Sequence, residues 1–194
     1  MQIGKLTRAA LFASAVALQA VPAMAAHRPA EDGEFPIKLA PSKADWHTFI
    51  QATEAERRKL WGYQTSRGRH LGDWSWGWRL GWVRVCGRSE APYCGGVLQE
   101  ALLDKAVVVR AEAASALGRL YEHTANPAVV RVLAGAYPNS RNWRHGKPLF
   151  VQQRILYALH QIGGAAALEA GAALAGQEKA AVTYWHQLDQ SKAW

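Results

Sequence analysis

The residues of this chain best suited to nucleophilic, redox or metal chemistry are two cysteines, Cys86 and Cys94, and seven histidines, His27, His47, His70, His123, His145, His160 and His186. A metal site on a helix needs ligands brought to one face by close spacing, as in His-x-x-x-His or His-Glu-x-x-His, and no pair of these histidines has it. The cysteines lack the Cys-x-x-Cys spacing of a redox pair at a helix start. In a chain bound for an oxidising compartment they are expected to close a structural disulfide, worth roughly 2–3 kcal/mol by loop entropy. No Gly-x-Ser-x-Gly elbow or phosphate loop occurs. Asp73, Glu90 and Glu100 have nothing to distinguish them from surface acids. The expectation is a protein that is not an enzyme and carries no cofactor or metal.

The oxidising compartment is inferred from the N-terminus. Lys5 and Arg8 make a short positive region, residues 9–21 are uncharged and mostly apolar, and Ala23-Met24-Ala25 has the small-x-small form of a cleavage site. That apolar run falls short of the ~20 residues needed to cross a bilayer. Residues 1–25 therefore read as a signal peptide, and the mature protein as periplasmic or secreted. No cysteine stands at the cleavage site to take a lipid, and no later segment is apolar and long enough to span a membrane. Losing Lys5 and Arg8 lowers the formal charge from +8 to +6. A basic surface favours anionic partners: another protein with an acidic surface or, alternatively, an anionic cell-envelope polymer or glycolipid. Export argues against nucleic acid.

The elements that would position a binding surface are helical. Residues 26–41 carry Pro29, Pro36 and Pro41 without a steady period and read as an extended leader. Ser42 offers a helix N-cap. Trp46, Phe49, Ile50, Leu60 and Trp61 then recur at mostly helical spacing opposite Glu54, Glu56, Arg57, Arg58 and Lys59, which predicts one amphipathic helix ending near Gly62. The polar, basic residues 64–72 read as a loop. Four of the nine tryptophans crowd into 74–82. On a helix, Trp74, Trp78 and Trp82 form one stripe beside a groove made by Gly77 and Gly81. Burial of that stripe against Trp46 and Trp61 is the favoured reading, with exposed stacking on sugars as the alternative. Trp76 points elsewhere and is a candidate contact residue.

Leu98-Gln99-Glu100-Ala101-Leu102-Leu103-Asp104, followed by Val109-Arg110, Ala113-Ala114 and Ala116-Leu117-Gly118-Arg119-Leu120, resembles HEAT repeats. The resemblance is strongest to the short bacterial kind also seen in phycobiliprotein lyases. It implies an all-α fold: a short, right-handed HEAT-like α-solenoid of antiparallel helix pairs over 42–194. It also implies that Asp104 and Arg110 are structural, interacting along the stack, while Leu117 fills space between helices and Gly118 relieves crowding. Lyase activity is not carried over, because HEAT stacks in general are binding scaffolds.

Shifting the chain by thirty-one residues lays Arg79 on Arg110, Cys86 on Leu117 and Gly87 on Gly118, and a shift of forty-two lays Val151 on Val109, Ala158 on Ala116 and Leu159 on Leu117. Three helix pairs are expected, over about 74–103, 105–135 and 149–176. The cysteines would join the first pair near its turn, and a last helix around 182–188 would cap the stack. Residues 136–148 read as a basic, aromatic insertion of the sort that reaches a partner. The expected function is an exported protein-binding scaffold or adaptor contacting its partner through Trp76, Arg79, Arg141, Trp143 and Arg144. The alternatives are a wall- or glycolipid-binding module, or an inhibitor or immunity protein against an envelope-directed enzyme.

Overall fold

The computed structural model describes residues 37–191. The expected signal peptide and leader residues 26–36 lie outside the described residues. The fold is all-α apart from one short hairpin: α1 (Lys43–Gln51), α2 (Glu54–Thr65), a 3-10 turn (Leu71–Asp73), α3 (Trp76–Cys86), α4 (Pro92–Ala101), α5 (Val107–Leu120), α6 (Pro127–Ala136), a 3-10 turn (Ser140–Asn142), β1 (Trp143–Arg144), β2 (Lys147–Pro148), α7 (Phe150–Ile162), α8 (Ala165–Ala175) and α9 (Lys179–Ser191). None of the described helices is long and apolar enough to cross a membrane.

Ser42 caps α1, its hydroxyl accepting from the Asp45 N–H at 3.1 Å. The single helix expected to run to Gly62 is instead two. Ala52 turns extended, and Thr53 starts α2 with a reciprocal capping box, Glu56 reaching back to the Thr53 N–H at 2.7 Å. That local pairing outweighs a hydrophobic period that runs through the break.

Trp74 does not sit on a helix with Trp78 and Trp82. It follows the 3-10 turn in extended backbone, and Ser75 is the N-cap of α3. All three rings are nevertheless buried. Trp82 lies edge-on to Phe49 at 4.9 Å, Trp61 at 5.1 Å and Trp74 at 5.8 Å between ring centroids. A Cβ on Gly81 would stand 3.0 Å from Trp46 and 3.1 Å from Phe49, so α1 fills the space the glycine leaves.

The Cys86–Cys94 disulfide joins the last residue of α3 to the first turn of α4, with Cα atoms 4.9 Å apart.

Helices α3, α5 and α7 lie side by side and parallel. At their N-terminal ends Arg79 meets Asp104, just before α5, and Arg110 meets Asn142, at the start of the hairpin that precedes α7. At their C-terminal ends a Cβ on Gly87 would lie 2.7 Å from the Ala116 Cβ, and one on Gly118 would lie 2.8 Å from the Ala158 Cα. Only glycine allows approaches this close. Helices α4, α6 and α8 back this layer, α1 packs on α3, and α9 packs on α7 and α8 with Trp185 over Gly171.

Candidate functional site

Once one face of the parallel layer is covered by α4, α6 and α8, the other is left open. Along it runs a groove of about 270 Å³ lined by Trp76, Leu80 and Arg84 of α3, Val108, Ala111, Glu112 and Ser115 of α5, and Phe150 and Arg154 of α7. On each helix every one of these residues has another three or four positions away, so each helix presents one stripe. The floor is made by the small, buried Ala111 and Ser115. The walls are chemically matched: each has an exposed aromatic ring at the N-terminal end, Trp76 at 56 % and Phe150 at 46 % exposure, and an exposed arginine further along. Val108, also exposed, stands on α5 in the same lining. Tyr157, one face-turn beyond Arg154, extends the exposed apolar wall of α7.

The charges in the groove have distinct settings. Glu112 is paired with Arg119 at 3.1 Å. Arg84 lies 5.8 Å from the centre of the Trp46 ring, so α1 supports it from behind. Arg154 lies close enough to Tyr184 of α9 to oppose the upward shift that burial gives that phenol. The lining offers apolar surface, two guanidinium groups, the Glu112 carboxylate and the Ser115 hydroxyl, with no imidazole or thiol. No group of three or more His, Cys, Asp or Glu able to hold a metal lies among the described residues.

The structure divides the sequence-predicted contact residues among three settings. Trp76 lines the groove. Arg79 does not, and its expected role as a contact residue is corrected: it is 1 % exposed, donates to both Asp104 carboxylate oxygens at 2.5 and 2.9 Å, and also donates to the Trp74 carbonyl. A buried guanidinium committed to a carboxylate is framework.

Arg141, Trp143 and Arg144 lie outside the groove lining, on the insertion ahead of α7. This insertion is a β-hairpin, with Trp143 opposite Pro148 and Arg144 opposite Lys147. His145 and Gly146 both have positive φ, as a two-residue turn of this kind requires. Arg141 and Arg144 are exposed and Trp143 is half-buried.

Asn142 anchors the hairpin. Fully buried, it accepts from Arg110 Nε at 2.7 Å and donates to the Ala136 carbonyl at 3.0 Å. Arg110 also donates to the carbonyls of Asp104, Lys105 and Arg141. Asp104 additionally accepts from the Ala106 N–H at 2.7 Å, tying down the start of α5.

Sequence reasoning missed Leu80, Arg84, Val108, Glu112, Phe150 and Arg154. A signal existed, because the two chain shifts lay Leu80 on Ala111, Arg84 on Ser115, Val108 on Phe150 and Glu112 on Arg154. These four pairs of lining residues are therefore equivalents in the internal alignment, while Trp76 falls on Val107, outside the lining. Comparisons with protein-family models, with curated proteins and with solved structures return no match to this chain.

Proposed function

We propose that this protein is an exported binding scaffold, periplasmic or secreted, built as a right-handed HEAT-like α-solenoid, and that the α3/α5/α7 groove is where it holds a protein partner. The observation that carries this reading is the exposed Trp76, Val108 and Phe150 on one open face, flanked by Arg84 and Arg154. Large exposed apolar side chains gathered in one groove and rimmed by charge are characteristic of an interaction surface.

Two recurring contacts support the solenoid. Gly87 against Ala116 has its counterpart in Gly118 against Ala158, and Arg79 with Asp104 has its counterpart in Arg110 with Asn142. The glycines, alanines and arginines of these contacts coincide under the chain shifts. The basic charge of the chain favours a partner with an acidic surface.

The test is affinity capture of the tagged protein from its own cell envelope, before and after lysozyme digestion, for wild type and Trp76→Ala/Phe150→Ala. Both side chains stand half-exposed outside the core, so the double variant should fold. The scaffold reading expects a specific protein that survives wall digestion and is lost with the double variant. Recovery of wall material alone, unchanged by the substitutions, would contradict it and make this a wall-binding module.

A further inference from the structure

We infer that the groove selects an acidic, amphipathic peptide segment of its partner, an inference that rests on the scaffold reading and names what the site recognises. Both walls repeat the same pair of chemistries, a ring and a guanidinium: Trp76 and Arg84 on α3, Phe150 and Arg154 on α7. Glu112 is the one carboxylate of the lining, and its ion pair is with Arg119 at 3.1 Å, not with either wall arginine. Neither Arg84 nor Arg154 forms an ion pair among the described residues. The ring beneath Arg84 holds the guanidinium by its face, which leaves the edge N–H donors free to take a carboxylate in bidentate fashion.

From Trp76 to Arg84 the wall extends about 12 Å at the rise of an α-helix, the length of roughly four extended residues. A ligand that satisfies the whole groove must present apolar side chains to the rings and carboxylates to the arginines over that distance. A free inorganic anion would leave the rings bare, and a neutral sugar would leave the guanidinium groups without counter-charge. An acidic amphipathic peptide meets both demands, and its complementary charge would also steer its approach.

The experiment pans a random-peptide display library against immobilised protein and measures the affinity of synthetic peptides drawn from the enriched set. The expected result is a consensus combining Asp or Glu with Phe, Trp, Leu or Ile. Its binding weakens as salt rises and falls roughly tenfold or more in Arg84→Glu/Arg154→Glu, about the cost of reversing charge-assisted hydrogen bonds. Trp76→Ala/Phe150→Ala abolishes it.

A consensus without acids, or no enrichment, overturns the inference. So does enrichment seen only with Glu31→Ala/Asp32→Ala/Glu34→Ala, which removes the three acids of the expected leader 26–41 and would assign the groove to them, or only in the monomeric fraction of a self-associating protein, which would assign it to a second copy. If envelope capture of a protein partner persists in Arg84→Glu/Arg154→Glu, the scaffold reading stands and the acidic class fails. If capture fails for wild type as well, both fall.

Discussion

Helix α3 meets α1 and α2 through large rings, whereas toward its C-terminal end α5 meets α7 where a glycine faces an alanine. On the first seam Trp78, Trp82, Phe49 and Trp61 interlock edge to face, with centroids 4.9–5.6 Å apart in the three closest pairs. On the second, Gly118 faces Ala158 so closely that an added Cβ would lie 2.8 Å from a backbone carbon. The two seams exclude water by opposite means. The aromatic seam depends on area, so it is weakened by removing atoms. The small-residue seam depends on close approach of backbones, so it is weakened by adding them. The close approach of Gly118 to Ala158 brings the groove-lining stripes of α5 and α7 together, while the aromatic seam holds α3 as the opposite wall.

The sharpest way to break the comparison is truncation at the centre of the aromatic seam. Trp82→Ala is expected to cost about 3–5 kcal/mol in urea unfolding, since the ring is fully buried and touches four others. Opening the staple at the far end of α3, with Cys86→Ser/Cys94→Ser, should lower stability by roughly 2–3 kcal/mol, read from the urea midpoint at unchanged slope. On the small-residue seam the added methyl of Gly118→Ala should cost about 1–3 kcal/mol, with the loss appearing as a lower thermal midpoint.

The same change on α2 should act in the opposite direction. Nothing lies within 4 Å of a Cβ on Gly62, so Gly62→Ala should stabilise by about 0.5–1 kcal/mol in the same thermal assay. Smallest at neutral pH is the contribution of Tyr93, which stacks on Trp61 at 6.2 Å. Burial first, and then the Glu54 carboxylate beside it, push its phenol up from 10.0 to about 12. The folded state therefore prefers the neutral phenol. That preference costs nothing below pH 10 and reduces stability as pH rises from 10 through 12. Comparing alkaline unfolding of wild type with Tyr93→Phe checks it, since the variant should lose less stability over that interval.

Features governed by short-range chemistry were legible in the sequence. Ser42 as a cap, the helices expected within 74–176, the disulfide and the burial of Trp78 and Trp82 follow from residue type and spacing, and the structure contains each of them. What escaped depended on competition or on distant partners. The break at Ala52 escaped because the capping box of Thr53 and Glu56 competes with an unbroken hydrophobic period. Trp74 left the expected helix because Asp73 bonds back to the His70 N–H at 2.8 Å, closing the 3-10 turn, and Ser75 then starts α3 afresh.

Arg79 read as a surface cation because its partner, Asp104, is twenty-five residues away. The hairpin escaped because two-residue strands have no period to detect, and its turn is formed by His145-Gly146, not by the commoner Asn-Gly. The groove is the largest omission. Its residues lie on three separate helices, and only the stacking of those helices brings Trp76, Val108 and Phe150 together.

The central claim is that the partner meets this protein on the open face of α3, α5 and α7, and the most direct measurement is photo-crosslinking in the native cells. A photoreactive residue is placed singly at Val108 or Phe150 in the groove, at Arg144 on the hairpin, and at the exposed Leu168 of α8 on the backing layer. The account predicts that Val108 and Phe150 crosslink to the same protein and that Leu168 crosslinks to none. A partner trapped from Leu168 or Arg144, with Val108 and Phe150 silent, would contradict it.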